Sequence, residues 1–446
     1  AARNDNLPLV KYFLLTYPQI LQEPDKDGWT ALHYAALGGS VHVMETLIQA
    51  GLDISARTNY GRNVLDTAAE NDNLTVVKYL IAMYPETLKG TNNNGCTVLH
   101  YAAQGGSVHI METLIQAGLD ILARNNHGRN VLQIAAANDN LPVVKYFLAT
   151  YPQTLQEPDK DGWTALHYAA EGGSVYLIET LIQAGLDISA RTSDGSNIIH
   201  IAAWNDNLPA VKYLIATYRQ TLQGTNNNGC TVLHYAAIGG SVHVMETLIQ
   251  AGLDISARTS DGSNVLHIAA GNDNLPVVKY LIATYPQTLQ EPDKDEWTAP
   301  HYAAIGGRVH VMETLIQAGL DISARTSDGS NVLHIAVMND NLPVVKYLIA
   351  TYPQTLQVTN KDEWTALHNA AQGGSFHVME TLIQAGLDIS ARTSDGSNVL
   401  HIAARNDNLP VVKYFLATYP QILQEPDKDG WTALHYAAEG GSVYLI

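Results

Sequence analysis

Apolar residues recur along this chain at helical intervals, broken by polar and glycine punctuation at fixed places. Val175, Ile178, Leu181 and Ile182 fall on one face of a helix, and Leu208, Val211, Leu214 and Ile215 repeat the spacing. Ahead of each face stands a shorter block, ALHYAA at 165–170 or IIHIAA at 198–203. Thr164 before the first block and Gly172-Gly173 after it predict a short capped helix with a left-handed stop. Ser174 is the expected cap of the second helix and Gly185 its stop. In the alternate segments Asn207 takes the cap position, and Pro209 lies in the first turn, where its missing N–H does no harm. Those helices are expected to end at Tyr-Pro, as at Tyr151-Pro152, with Tyr218-Arg219 an exception. Small Ala169 and Ala170 let neighbouring helices approach closely. The connecting stretches ARTSDGSN and EPDKDGWT carry the Asp/Asn-Gly chemistry of a tight hairpin tip.

The whole pattern repeats every 67 residues, six times with 44 residues over. Each unit splits into halves of 33 and 34 residues, such as Asp161 to Ser193 and Asp194 to Asn227. Neither half can bury its apolar face alone, so neighbours must stack, which is the logic of a solenoid. The expected array has a partial repeat at 1–26 and full repeats at 27–59, 60–93, 94–126, 127–160, 161–193, 194–227, 228–260, 261–294, 295–327, 328–361, 362–394 and 395–428. A partial repeat at 429–446 completes it. Ala1-Ala2 align with Ala403-Ala404 inside a repeat, and the pattern reaches Ile446 in mid-helix. The chain is therefore expected to be a piece of a longer array.

A period of 33 with Thr-Pro-Leu-His-x-Ala is the ankyrin signature. Here TALHYA (Thr30 to Ala35, Thr164 to Ala169, Thr432 to Ala437), TVLHYA (Thr97 to Ala102, Thr231 to Ala236) and NVLHIA (Asn264 to Ala269, Asn398 to Ala403) resemble it over essentially the full length. The GLDISA stretches are similar to the family's G-A-D-V-N-A. The resemblance implies an all-α solenoid of helix-turn-helix units with short β-hairpin or turn fingers, curved into a superhelix. Ala or Val replaces the usual proline, and Pro300 takes the leucine position in TAPH. Losing that leucine is expected to remove about 2 kcal/mol of burial, making 295–327 a weak point.

Net charge is −18, from 43 acidic and 25 basic residues. Such a surface repels phosphate backbones and anionic lipid, which argues against nucleic acid and membranes as partners. No apolar run reaches the ~18 residues of a membrane helix. Cys96 and Cys230 occupy equivalent positions four short repeats apart, on the order of 40 Å at ~10 Å per layer. That excludes an internal disulfide and suits a reducing, cytoplasmic setting, or a host cytosol if the chain is a secreted effector.

Eleven of the 17 histidines sit in the LHYA-type block, including His33, His167, His200, His267 and His401. Layers ~10 Å apart cannot share a zinc ion at ~2.1 Å, and the resemblance assigns these rings to backbone hydrogen bonding. His42 with Glu45, and His243 with Glu246, read as solvated helix faces. Gly172-Gly173 lacks the Lys/Ser sequel of a phosphate loop. An active site is a single constellation in a pocket, whereas nearly every titratable group here is stamped out periodically. No catalytic residue, metal, cofactor or small-molecule substrate is expected.

What varies is regular too. The residue after LHYAA is Leu37, Gln104, Glu171, Ile238, Ile305, Gln372 or Glu439; the matching half-unit slot holds Arg3, Glu70, Ala137, Trp204, Gly271, Met338 or Arg405. The resemblance puts these slots, and the residue after the turn glycine, in the concave groove that ankyrin repeats use for partners. Candidate contacts are therefore Trp29, Trp163, Trp297, Trp364 and Trp431 at the finger tips, together with Trp204. The slot residues Leu37, Gln104, Glu171, Ile238, Ile305, Gln372, Glu70, Met338 and Arg405 join them. Exposed Trp is over-represented among residues that dominate interfaces. The leading expectation is a non-enzymatic scaffold for an extended or multi-site protein partner. Two other readings stand beside it: a structural spacer or self-assembling fibre, and the targeting arm of a larger effector or toxin.

Overall fold

A computed structural model describes residues 1–17, 23–152, 156–286 and 291–441. Those residues form 26 α-helices, joined by turns and short 3-10 segments, and contain no strand. The chain divides into two compact units, Ala1–Asn227 and Asn228–Ile446. Within each unit helices alternate between two layers: first helices such as Ala31–Gly38, Val64–Glu70 and Val98–Gly105 pack on one another in sequence order, and second helices such as Val41–Gln49, Leu74–Met83 and Val108–Gln116 do the same alongside. The expected helix running to Ile446 lies outside the described residues.

Burial follows the apolar pattern. Leu166, Ala169 and Ala170 of the first helix Ala165–Gly172 are fully buried, as are Leu177, Ile178 and Leu181 of the second helix Val175–Gln183. Ser174 caps that second helix by accepting from the Leu177 N–H at 3.4 Å. The paired glycines have separate tasks. A side chain on Gly105 would stand 2.3 Å from the Glu70 carbonyl, so only glycine lets adjacent first helices close up; Gly106 then turns the chain at φ +80°. In the alternate repeats a single left-handed Asp makes this turn, at φ values of 50–59°.

Asn207 does not cap its own helix, contrary to the sequence reading. Its amide donates instead to the Ala170 and Glu171 carbonyls at 3.0 and 2.6 Å, in the preceding repeat. Asn73, Asn140, Asn274, Asn341 and Asn408 behave the same way. The last carbonyls of a helix have no partner within it, so each asparagine closes two of them across a repeat boundary. Only Asn6, first of the series, turns its side chain to its own helix and accepts from the Leu9 N–H at 3.1 Å.

The fingers are turns without strand pairing. Asp159 N–H donates to the Trp163 carbonyl at 2.9 Å, but the next rung is missing. The Asp159 side chain takes it over, accepting from the Asp161 and Trp163 N–H groups at 3.0 and 2.8 Å. An Asx turn thus competes with the β ladder and wins. Each finger bonds to the one before it instead: Asn93 N–H to the Tyr60 carbonyl, Asn126 to Asn94, Ser193 to Asp161, and in the second unit Lys294 to Asp261 and Ser327 to Asp295. Arginines at the finger bases add further pins. Arg124 Nη1 donates to its own finger at Gly128 and to Pro158 of the next, at 2.6 and 2.8 Å.

Pro300 is buried in the first turn of Ala299–Gly306, where the helix needs no N–H from it. Its ring keeps the helix intact, and the expectation of weaker burial in this repeat stands on its smaller side chain alone.

The asparagine clamp generates a contrast between two chemically identical substitutions. Asn140→Ala removes two hydrogen bonds between repeats and is expected to destabilise the first unit by about 2 kcal/mol in urea titrations. Asn6→Ala removes one exposed cap bond and is expected to cost about 1 kcal/mol or less. Equal losses at the two sites would contradict the clamp.

Candidate functional site

Trp29, Trp163, Trp297, Trp364 and Trp431 stand at the roots of their fingers, each with its ring on its own first helix. Trp29 lies 5.5 Å from Tyr34 and 5.9 Å from His33, and Trp163 lies 5.1 Å from Tyr168. Trp297 and Trp431 pair with Tyr302 and Tyr436 at 5.7 and 5.4 Å. Trp364 rests on His368, with Asn369 where the other repeats carry tyrosine. Trp29, Trp163, Trp297 and Trp364 are half-buried, while Trp431 is 37% exposed. These rings are both packing and surface.

The variable slots close the first helices and keep their side chains in reach of solvent. Trp204, Ile305 and Met338 are 46, 40 and 55% exposed. Gln104, Glu171, Gln372 and Arg405 are exposed as well, and Leu37, Glu70 and Ile238 are half-buried. The backbone of six slots is held by the asparagine clamp: Leu37, Gln104, Glu171, Ile238, Ile305 and Gln372 each give their carbonyl to it. Fixing the carbonyl while leaving the side chain unpacked is what permits one frame to carry Leu, Gln, Glu and Ile interchangeably.

Tyrosines, read in the sequence only as part of the constant frame, join finger roots to slots. Arg62 lies over the Tyr101 ring at 4.5 Å and near the Trp29 ring at 5.9 Å, and it pairs with Glu70. Glu70 in turn accepts from the Gln104 amide at 2.9 Å. Trp29, Glu70 and Gln104 are thereby parts of one connected surface. In the second unit Arg405 lies 5.6 Å from the Tyr436 ring, linking it to Trp431. The hydroxyls anchor these rings to the fingers: Tyr168 donates to Asp159, and Tyr302 to Asp293, both at 2.5 Å. Arg62 and Arg129, the latter 4.7 Å from the Tyr168 ring, were legible only as departures from the Ser usual at their position.

The block histidines have a single geometry. Thr164 N–H donates to His167 Nδ1 at 3.1 Å, so the ring proton sits on Nε2. Where Nε2 has a near partner it donates to a backbone carbonyl, in the following repeat for His33 to Arg62 at 3.2 Å, His100 to Arg129 at 3.2 Å and His334 to Trp364 at 3.0 Å, and within the repeat for His401 to Glu425 at 2.9 Å. Burial holds His167, His301, His334 and His368 neutral, with pKa values pushed down to about 4. Gln133 fills the same slot and reproduces both contacts, accepting from Asn130 N–H at 2.8 Å and donating to the Trp163 carbonyl at 2.7 Å. Asp66 reproduces only the accepting half, from Asn63 N–H at 2.9 Å, and burial raises its pKa to about 6. Among the described residues no cluster of His, Cys, Asp and Glu is placed to hold a metal ion, and no helix is long and apolar enough to cross a membrane. Among the described residues neither Cys96 nor Cys230 forms a disulfide.

A family model described as ankyrin repeats (3 copies) matches nine overlapping segments that together run from residue 1 to residue 446. Among curated proteins, the chain is 28% identical to ankyrin repeat and KH domain-containing protein mask-1 of Caenorhabditis elegans, over 56% of this chain and 9% of that protein. It is 23% identical to E3 ubiquitin-protein ligase KEG of Arabidopsis thaliana, over 76% of this chain and 21% of that protein. It is 26% identical to the nuclear factor NF-kappa-B p105 subunit of Gallus gallus, over 48% of this chain and 23% of that protein. The chain thus spans less than a quarter of the length of each of these relatives.

The histidine slot fixes the sign of the acid response. A ring whose folded pKa lies near 4 stabilises the fold fully above the unfolded value of about 6.5, and that contribution is lost as pH falls from 6.5 towards 4. Each such histidine adds a slope of up to about 1.4 kcal/mol per pH unit, so melting temperature is expected to drop steeply over that interval. Asp66 has the opposite sign: its raised pKa costs stability above pH 6. Asp66→Gln is therefore expected to raise the melting temperature at pH 7.5 and to do so less at pH 4.5. A gain independent of pH would contradict the assignment.

Proposed function

The chain belongs to the ankyrin-repeat family, and from that premise we propose that it is a non-enzymatic scaffold that grips an extended or multi-site protein partner. Ankyrin repeats are in general protein-interaction modules. The contact face in this reading is the strip of finger roots, tyrosines and slots. One observation carries it: the slot side chains change from repeat to repeat while the backbone that bears them is clamped to the next repeat. Contacts spread over many repeats accumulate affinity, so single substitutions are mild and combined ones severe. Two cysteines outside any disulfide fit a reducing compartment such as the cytosol.

A second reading, in which this array is the recognition arm of a larger protein, is favoured by the relatives themselves. In each of the three, the matched stretch is 9 to 23% of the whole. The two readings share the same contact face and differ in what lies beyond the array.

Selection of a displayed random 16-residue peptide library on the full chain tests the contact face. Bound peptides are expected to protect finger and first-helix amides in hydrogen exchange. Binding is expected to fall at least tenfold when Leu37, Gln104 and Glu171, or Ile305, Met338 and Arg405, are changed together to Ser. Protection confined to second helices, or no recovered peptide, would refute the proposal.

A further inference from the structure

The slots of the second unit are not a random sample. In repeat order they read Ile238, Gly271, Ile305, Met338, Gln372, Arg405 and Glu439, so the first four successive positions carry no polar group. Ile305 and Met338 are exposed, at 40 and 55%, and Ile238 is half-buried. Gly271 leaves a recess in this line. A Cβ there would first meet Tyr302 Cδ1 at 3.5 Å, an ordinary contact distance, so the line has room for a side chain beside that aromatic ring. The first unit has no comparable run, since its slots alternate with Arg3, Glu70, Gln104 and Glu171.

A second line runs beside the first. After Asn228 in the first finger of this unit, the tips carry Asp261, Asp295, Asp328, Asp362, Asp395 and Asp429 at the same position, all exposed. The same position in the first unit is mixed, with Asp27, Tyr60, Asn94, His127, Asp161 and Asp194 in repeat order. Of the neighbouring lysines, Lys294 and Lys428 are turned back onto the preceding finger, their Nζ bonding the Ser260 and Ser394 carbonyls at 2.7 and 2.5 Å. One tyrosine joins the two lines. Ser263 Oγ lies 3.1 Å from Asp261 Oδ2 and 2.6 Å from the Tyr302 hydroxyl, while the Tyr302 ring borders the Gly271 notch and faces Trp297.

From finger root to slot is one helix such as Ala299–Gly306, 8 residues or about 12 Å of rise. That width is close to the ~10–12 Å diameter of an α-helix with its side chains. Ile238 to Met338 spans three repeat steps, about 30 Å at ~10 Å per layer, the length of a helix of about 20 residues.

We propose that the second unit docks an amphipathic helix whose apolar ridge lies along Ile238, Ile305 and Met338, with one large apolar side chain in the Gly271 notch. Its basic flank faces Asp261, Asp295 and Asp328. The proposal rests on the scaffold reading and names the chemistry of the partner. Electrostatic attraction to the acidic row steers the helix in, and the apolar line holds it.

Three fluorescent 20-residue helical peptides serve as probes. One has a Leu/Phe ridge with Lys flanks, one has the same ridge with Glu flanks, and one has Lys flanks with the ridge changed to Ala. In anisotropy titrations the first is expected to bind at least tenfold tighter than either control, and to weaken as salt rises from 50 to 500 mM. Gly271→Gln fills the notch and replaces a helical glycine, so it is expected to raise the melting temperature while weakening the first peptide at least fivefold. Ile305→Glu with Met338→Glu is expected to weaken it tenfold or more, and Leu37→Glu less than twofold. Equal binding of Lys- and Glu-flanked peptides, or indifference to the variants at 271, 305 and 338, would overturn the proposal. If library peptides still map to the finger and first-helix face in that case, the scaffold reading survives; if none do, both fall.

Discussion

Near the end of the helix Ala165–Gly172 the Ala170 and Glu171 carbonyls take hydrogen bonds from Asn207, 37 and 36 residues further on in the next repeat. Much else in the structure depends on that kind of completion across a boundary. The block histidines accept from their own cap and, at His33, His100 and His334, donate to a carbonyl of the following repeat. Finger backbones bond to the finger before them, and Arg124 bridges two. Buried polar groups left unpaired are expensive, so a repeat of this sequence is unfinished until its neighbour arrives. Apolar burial supplies the driving force within each unit, and these polar links specify the register.

This arrangement separates stability from recognition. The atoms that hold the stack are main-chain carbonyls and a small set of buried Asn, His and Arg side chains. The slot side chains contribute little to it, which leaves them available to carry Leu, Glu, Ile or Met without disturbing the frame. The finger-root tryptophans are an intermediate case. Their rings rest on His and Tyr of the same repeat, so they give the surface apolar area while belonging partly to the packing.

Much of this was legible in the residues. Helix periods, the Gly173 and Gly185 stops, the Ser174 cap and the structural role of the histidines all follow from local chemistry, and local chemistry is what a sequence displays. The asparagine clamp was not legible. Asn before Leu-Pro is a strong N-cap signal, and nothing nearby in sequence reveals two carbonyls waiting 36 and 37 residues back. Of the expected hairpin or turn fingers the structure has the turn form for a related reason, because the Asp159 side chain captures the N–H groups that a second ladder rung would need. Tyr101, Tyr168 and Tyr302 were hidden by their constancy: a residue that does not vary reads as frame, although these rings connect finger roots to slots. Trp29, Glu70 and Gln104 appeared in the sequence as separate candidates, and only Arg62 lying between them shows that they form one surface.

The separation of frame from slot is the claim on which the account turns, and permuting the slots tests it directly. Exchanging Leu37, Gln104 and Glu171 with one another leaves every clamp, cap and core residue in place. The urea midpoint of the permuted chain is expected to match that of the parent within about 0.5 kcal/mol, while the peptides selected by the two chains differ. A permuted chain that unfolds at markedly lower urea, or one that selects the same peptides as its parent, would contradict the account.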